Sequence, residues 1–223
     1  DHVADQQATR LFGAPKSKLH VIPHAPPDIG HLAPYAPKRR RTDKSLKAAA
    51  SVLRDHAATC GWTSLIDFPF EEVEYIAIST QDRVTKNIRI VAEALFRMVR
   101  GGRHNLKMFT TAPIHYGAHW TPLPNFLELH QFGPDFVSIP DLPRDVHAAF
   151  YHCAAVVVHP SIFEGGRGVF PYYEGVSVGT PCLMADGPHS RELVLEAPEL
   201  AASIFDPNDA VGLAKLLEDV IAR

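Results

Sequence analysis

The sequence lacks long hydrophobic runs and a strong net charge. Its longest apolar runs, such as AAVVV at 154–158, fall far short of the roughly 20 residues that span a bilayer. The formal net charge of −3 gives no bulk electrostatic attraction to nucleic acid. The first residues show no charged segment followed by an apolar one, so we expect no signal peptide.

Cysteine is also scarce, and its number and spacing argue against a disulfide framework and against a C-x-x-C motif. The three cysteines, Cys60, Cys153 and Cys182, are odd in number and form no C-x-x-C pair. Each lies in an apolar stretch, so we expect buried, reduced thiols in a cytoplasmic protein. The sequence begins at Asp1 within a predicted helix, and we therefore expect it to be a piece of a longer protein.

What the sequence does contain is an alternation of apolar strands and amphipathic helices. The predicted strands are 19–23, 74–79, 105–111, 136–139, 155–159, 181–185 and 203–206. The predicted helices are 2–12, 43–60 with Asp43 as N-cap, one from Asn87 to Gly101, 124–132, one through Val146, one near Glu192, and one from Asn208. This alternation predicts an α/β fold, a Rossmann-like parallel sheet with helices on both faces.

Three regions differ in composition. Residues 25–42 are rich in proline and end in the basic run KRRR at 38–41, which indicates an exposed linker. The basic run also suits contact with anionic lipid headgroups, and both interpretations are open. We expect a remnant of a preceding domain over 1–24, a linker with an extra helix over 25–72, and a ligand-binding domain over 73–223.

The stretch 161–181, SIFEGGRGVFPYYEGVSVGTP, carries the most specific signal for function. It lies between two predicted strands and contains a glycine-rich loop followed by a helix, so its glycines allow the backbone N–H groups to approach an anion. The positive end of the helix dipole also favours phosphate there. Glu164 and Glu174 flank this site, and carboxylates bind the vicinal hydroxyls of a sugar or ribose. The alternative is an ordinary glycine-rich loop.

This stretch resembles retaining glycosyltransferases of the GT-B fold, whose pattern is P-S-x-x-E-G-F-G-x-x-x-x-E-A-x-x-x-G-x-P-V. The segments SKLHVIPHAPPDIG (17–30) and DRVTKNIRIVAEAL (82–95) also resemble the family's interdomain linker and its phosphate-binding segment. The resemblance implies the C-terminal, donor-binding half of a GT-B fold. Nine residues separate Glu164 from Glu174, more than in the family pattern, so the loop is longer here.

The resemblance also implies roles for individual residues. The catalytic residues would be Glu164 on the sugar hydroxyls, with Lys86 and Arg83 on the diphosphate. The family's usual arginine position holds Gln81, and Arg83 would substitute for that arginine; a solvated helix entrance is the alternative for both cations. The remaining donor-binding residues would be Glu174 on the ribose, together with Gly165, Gly166, Gly168, Val169, Phe170 and Gln81.

We expect no metal at this site, because no D-x-D motif is present. The pairs His20/His24 and His115/His119 are four residues apart, but neither lies on a predicted helix, and we interpret them as surface or core histidines. We interpret His159, at the end of a buried strand, as structural.

The expected reaction is transfer of a hexose from a nucleotide diphosphate sugar to a hydroxyl of a glycan or lipid-linked glycan, with retention, in polysaccharide or glycoconjugate biosynthesis. GDP-mannose is the favoured donor, because TQDRVTKN (80–87) is similar to mannosyltransferases of bacterial surface polysaccharides; UDP- and dTDP-sugars are alternatives. We expect no other cofactor, no nucleic acid partner, an acceptor site in a missing N-terminal domain, and a cytoplasmic location that allows contact with the membrane's inner face. A GT-B epimerase or phosphorylase and a non-catalytic assembly module are the competing functions.

Overall fold

The structure is a computed structural model that describes residues 2–20, 22, 25–114, 122–164 and 169–222. The strands in these ranges are β1 (Tyr75–Ile78), β2 (Lys107–Thr110), β3 (Phe136–Ser138), β4 (Val156–His159), β5 (Cys182–Ala185) and β6 (Ile204–Phe205). The α-helices there are α1 (His2–Phe12), α2 (Asp43–Cys60), α3 (Thr63–Ile66), α4 (Ile88–Arg100), α5 (Pro122–Leu129), α6 (Arg144–Cys153), α7 (Phe170–Ser177), α8 (Pro188–Glu196) and α9 (Ala210–Ile221).

The six strands form one parallel sheet in the order β3-β2-β1-β4-β5-β6. The chain builds outward from β1 to β3 and then returns to place β4 on the other side of β1. The connections after β1 and β4 therefore leave the carboxyl edge of the sheet in opposite directions. In open parallel sheets, the crevice at such a switch point is where ligands bind.

The sheet is covered on both faces, as the sequence predicts. In β1, Ile76 and Ile78 contribute to one apolar core, and Tyr75 and Ala77 to the other. The helices α4, α5 and α9 pack on the first face, and α2, α6 and α7 pack on the second. Every residue of β1, β4 and β5 is buried, which accounts for the continuous apolar runs in these strands.

Helix α4 shows how the sequence sets an element beside the crevice. Buried side chains at helical spacing, including Val91, Leu95 and Met98, attach it to the sheet. Asn87, directly before the helix, has a left-handed backbone (φ 48°), and its side-chain Nδ2 donates to Pro207 O at 2.9 Å. This bond joins the start of α4 to the chain that leaves β6, so the loop between β1 and α4 is held at both ends.

The predicted strand at 19–23 is wrong for the part of it that the structure describes. Leu19, His20 and Ile22 are not in a strand, and Ile22 is 84% exposed. All six described strands follow residue 74, so the described part of the sheet provides no neighbour for this segment. An apolar run without a hydrogen-bonded partner does not form a strand on its own.

The prediction of an exposed linker over 25–42 is wrong for three apolar residues in it. Ile29, Ala33 and Ala36 are buried in the core that α2 and α6 share. The backbone N–H of Ile29 donates to Ser177 Oγ at 3.0 Å, which joins the segment to α7. The apolar side chains between the prolines explain the difference. Their burial stabilises packing of the segment on the protein, although proline-rich segments are usually exposed. The three domain boundaries stay a prediction.

Two arginines of the basic run form polar contacts within the protein. Arg39 forms an ion pair with Asp28 at 2.7 Å, and Arg41 Nε donates to His152 O at 3.1 Å.

Thr42, and not Asp43, is the N-cap of α2, because Thr42 and Ser45 exchange hydrogen bonds in a capping box. Asp43 is the first residue inside the helix.

The cysteine prediction holds for two of the three thiols. Cys153 and Cys182 are buried, but Cys60, at the last position of α2, is exposed, so its prediction was wrong. Burial raises the pKa of the Cys153 thiol to about 12, which keeps it protonated.

Among the described helices, none has the length and apolar character needed to cross a membrane.

Candidate functional site

Two loops meet at the carboxyl edge of the sheet, at the switch point between β1 and β4. The Ile162 N–H donates to Thr85 O at 3.0 Å, and Ser161 Oγ lies 3.2 Å from the same carbonyl oxygen. The loop after β4 is thereby hydrogen-bonded to the loop after β1. These contacts bring together two sequence segments that lie more than 70 residues apart.

The centre of this junction is an ion pair between Lys86 and Glu164. Lys86 Nζ lies 2.6 Å from Glu164 Oε1, and the two side chains are only 20% and 15% exposed. Lys86 is positioned by a 3₁₀ turn, Val84–Lys86, in which its N–H donates to Arg83 O at 2.9 Å. The structure therefore places the predicted phosphate-binding lysine directly on the predicted sugar-binding glutamate.

Glu164 is held in its ionised form. Burial raises the pKa of a carboxyl group, but here the polar groups of His159, Lys86 and Ser161 outweigh burial and lower the pKa of Glu164 to about 2. The His159 Nε2 atom lies 3.2 Å from Glu164 Oε1. At neutral pH Glu164 is thus an acceptor of hydrogen bonds and cannot act as a proton donor.

Two histidines beside Glu164 were missed as site residues by the sequence reasoning. His159 ends β4, and His189 is the second residue of α8; their rings pack edge to face with centroids 5.8 Å apart. Both are buried, at 3% and 2% exposed. The signal that was available is their position, since each follows or ends a strand at the carboxyl edge of the sheet.

A cavity of about 650 Å³ opens beside this junction, between the ends of β1, β2 and β3. Gln81 and Arg83, both exposed, lie on its wall. The other lining residues are Ser79, Thr80, Asp82, Thr111, Pro113, Asp141, Leu142 and His147. Most of these side chains carry hydrogen-bonding groups, so the cavity suits a polar ligand.

Glu174 lies on the second turn of α7. Burial raises the pKa of Glu174, and the nearby positive charge of Arg144 partly offsets that effect. Tyr151, which is fully buried and packs against the ring of His147 at 4.4 Å, interacts electrostatically with Glu174. Glu174 does not line the cavity.

The predicted phosphate-binding loop is described only at its ends. Val169 is fully buried before α7, and Phe170, the first residue of that helix, is 41% exposed. Pro171 at the start of α7 suits the first helical turn, where a missing N–H costs nothing. The predicted donor-binding residues Gly165, Gly166 and Gly168 lie outside the described residues.

No metal cluster occurs in the part of the chain that the structure describes: no group of three or more His, Cys, Asp or Glu there could hold an ion. Among the paired histidines, His20 is described, whereas His24, His115 and His119 lie outside the described residues.

Comparison of sequences finds no relative: no protein-family model and no curated protein matches this chain. Comparison of structures does find similar folds. The α,α-trehalose 6-phosphate synthase from Burkholderia multivorans superposes with a TM-score of 0.55 at 15% identity, covering 80% of this chain and 41% of that one. Sucrose-phosphate synthase from Thermosynechococcus elongatus gives a TM-score of 0.58 at 13% identity, covering 87% and 56%.

A third similar structure is a trehalose-6-phosphate protein from E. coli bound with UDP-2-fluoro glucose, with a TM-score of 0.52, 16% identity, and coverage of 79% and 42%. These likenesses confirm the predicted fold class, a Rossmann-like half of a GT-B fold. This chain spans about half the length of the solved proteins it matches, or less. Identities this low show the fold alone.

Proposed function

We propose that this chain is the donor-binding half of a retaining glycosyltransferase, which transfers a hexose from a nucleotide diphosphate sugar to a glycan hydroxyl in polysaccharide or glycoconjugate biosynthesis. The observation that carries the proposal is the contact between Lys86 and Glu164 at the switch point of the sheet. A cation for a diphosphate and a carboxylate for sugar hydroxyls are what a nucleotide sugar requires side by side.

The first role of the site is to stabilise the leaving group. As the glycosidic bond to the diphosphate breaks, negative charge grows on the phosphate oxygens, and fixed positive groups lower the energy of that state. We assign this role to Lys86 and Arg83, with the N–H groups of Val169 and Phe170 at the start of α7. Arg83 is exposed on the cavity wall, where its side chain has room to turn toward a phosphate.

The second role is to bind the sugar and the nucleoside. Glu164 stays ionised and accepts hydrogen bonds from sugar hydroxyls, and Glu174 accepts those of the ribose. The cavity that Gln81 helps to line receives the base, since its volume of about 650 Å³ is in the range of ligand pockets. No residue of this set is assigned as a nucleophile, because retention in this family is explained by attack from the side of the departing phosphate.

The donor and acceptor are assigned by class. GDP-mannose is our first choice of donor, on the resemblance of residues 80–87, and UDP-glucose is the second, because one similar structure binds UDP-2-fluoro glucose. We propose that the acceptor, a glycan or lipid-linked glycan, binds an N-terminal domain outside these residues. The names of the similar proteins add sugar phosphates to the acceptors to be tested. A cytoplasmic location, with contact at the membrane's inner face, completes the proposal.

Calorimetric titration of the 223-residue chain with GDP, UDP and dTDP tests the proposal. We expect weak binding of at least one nucleotide, and loss of most of that affinity in Glu174→Ala. Glu218→Ala, an exposed change on α9, is the matched control and keeps the affinity. No heat with any of the three nucleotides would contradict the proposal and favour a non-catalytic assembly module.

A further inference from the structure

His159 occupies one of the most constrained positions beside the proposed sugar site. It ends β4, which lies in the sheet between β1 and β5, and it pairs in register with Met184. Its side chain is 4% exposed. β4 pairs with β1 at Val156 and Val157 and with β5 through His159, so the sheet fixes the backbone at this end of the strand and the direction of the side chain.

This fixed ring contacts the one carboxylate that we assign to the donor sugar. Lys86 Nζ donates to Glu164 Oε1 at 2.6 Å, and His159 Nε2 lies 3.2 Å from the same oxygen without the geometry of a hydrogen bond. A carboxylate is planar, so two contacts on Oε1 restrict the direction in which Oε2 points. The contact from β4 is the rigid one, because Lys86 reaches Glu164 through a long, flexible side chain.

His189 supports His159 from the neighbouring helix. Its ring packs edge-on against that of His159, and the absent side chain of Gly187 allows this, since a Cβ there would lie 2.8 Å from His189 Cε1. Neither ring nitrogen of His189 has a hydrogen-bond partner among the described residues. Burial lowers the pKa of His189 to about 4, so this ring is uncharged at neutral pH.

We propose that His159 is a positioning residue, which orients the Glu164 carboxylate toward the hydroxyl groups of the donor sugar. The proposal rests on the proposed function and deepens it. Its consequence is selective: His159 strengthens binding of a nucleotide sugar but not of the nucleotide alone, because Glu164 contacts only the sugar. A purely structural histidine would affect both ligands equally.

The test compares His159→Gln with His159→Asn, two amides that differ by one methylene group. The glutamine amide reaches the place of the imidazole Nε2, whereas the asparagine amide stops short of Glu164. Each variant is titrated with UDP and UDP-glucose and with GDP and GDP-mannose, using whichever nucleotide the wild type binds. We expect His159→Asn to bind the nucleotide sugar about tenfold more weakly, with nucleotide affinity unchanged, and His159→Gln to retain the wild-type ratio.

The control is His152→Gln, a buried histidine bonded to Val178 O and Ser45 Oγ and remote from Glu164. We expect it to lower the unfolding temperature without changing the affinity ratio. Equal losses for both ligands in His159→Asn and His159→Gln would overturn the positioning role, and so would unchanged selectivity in both. Failure of wild type to bind any nucleotide is a different result, which contradicts the proposed function itself.

Discussion

At the scale of single residues, the site depends on an ion pair that is largely shielded from water. Lys86 and Glu164 are each less than one quarter exposed, so their attraction is screened less than that of a surface pair. The same two groups are assigned to the diphosphate and the sugar. A lysine ammonium has three donors, so Lys86 can contact a phosphate while it still contacts Glu164. On this assignment, one connected pair would recognise both halves of the donor.

Replacing Lys86 with methionine removes this cation and keeps the length of the side chain. We expect nucleotide affinity to fall at least about tenfold, because a hydrogen bond between charged groups is worth about 1.5–3 kcal/mol. Lys44→Met, at an exposed position of α2, is the matched control and leaves the affinity unchanged. Calorimetry measures both variants. Equal affinity in Lys86→Met and wild type would remove Lys86 from the site.

The lowered pKa of Glu164 predicts how stability depends on pH. A carboxyl group whose pKa falls to about 2 on folding contributes stability above its ordinary pKa, and that stability is lost as the pH falls toward 2. We expect the unfolding free energy of wild type relative to Glu164→Gln to decrease by about 3 kcal/mol between roughly pH 6 and pH 2. Denaturant titrations at several pH values measure the difference. A difference that does not change with pH would show that Glu164 is not held as a carboxylate.

The sequence predicts Lys86 and Glu164 as separate site residues, but it does not predict their contact or their surroundings. Lys86 and Glu164 each lie in a short motif with a defined chemistry, so they could be predicted one by one. Their direct contact could not, because it depends on the hydrogen bonds that join Ser161 and Ile162 to the loop after β1. His189 lies in no such motif, and only the three-dimensional structure brings its ring beside His159.

At the scale of elements, the main difference from expectation is the proline-rich segment 25–42. It packs on α6 and α7 instead of extending into solvent. It comes close to the turn between α7 and β5, where Gly179 has a φ of +88° and a Cβ would lie 2.0 Å from Arg39 O. Only glycine allows the two backbones to come this close.

The close approach of the two backbones at Gly179 predicts that two glycine substitutions lower the free energy of unfolding by different amounts. Gly61→Ala places a side chain at positive φ with nothing within 4 Å, and we expect a loss of about 1 kcal/mol. Gly179→Ala adds a clash with the backbone of Arg39. We expect it to lower the free energy of unfolding by at least about 2 kcal/mol more than Gly61→Ala does. Chemical denaturation compares the two variants. Equal losses would indicate that the segment does not pack at Gly179 in solution.

The start of helix α2 gives a second prediction for an element. Thr42→Ala removes the capping box with Ser45 and should cost about 1 kcal/mol of stability. Asp43→Ala removes only a favourable charge at the helix N-terminus and should cost about 0.3 kcal/mol. Thermal unfolding of the two variants measures the order. The reverse order would assign the cap to Asp43, as the sequence alone had indicated.

Elements with a strong periodic pattern could be predicted, and those that depend on a distant partner could not. The strands β1, β4 and β5 are continuous apolar runs, and α4 has apolar side chains on one face, so local sequence identifies them. The segment 19–23 has the composition of a strand, but a strand needs a neighbour in a sheet. In the same way, Ile29 is buried only because α2 and α6 provide a surface for it.

At the scale of the whole molecule, the sheet order brings the functional segments together. The loops after β1 and β4 lie on opposite sides of the switch point, and the 650 Å³ cavity opens beside them. The similar solved structures share this fold and are longer, since this chain covers 41%, 56% and 42% of them. We therefore expect the isolated chain to bind a nucleotide weakly and to turn over nothing, because the proposed acceptor site lies in another domain.

The most direct test of this account is a nuclear magnetic resonance titration of the isotope-labelled chain with GDP-mannose and UDP-glucose. We predict that one of the two donors shifts backbone amide signals at 79–87, 159–164 and 169–175, the segments that surround the switch point, and leaves α1 and α9 unchanged. Signals that do not move with either donor, or that move only in the aromatic groove of Phe96, Phe126 and His130 on the outer face of α4 and α5, would contradict the account.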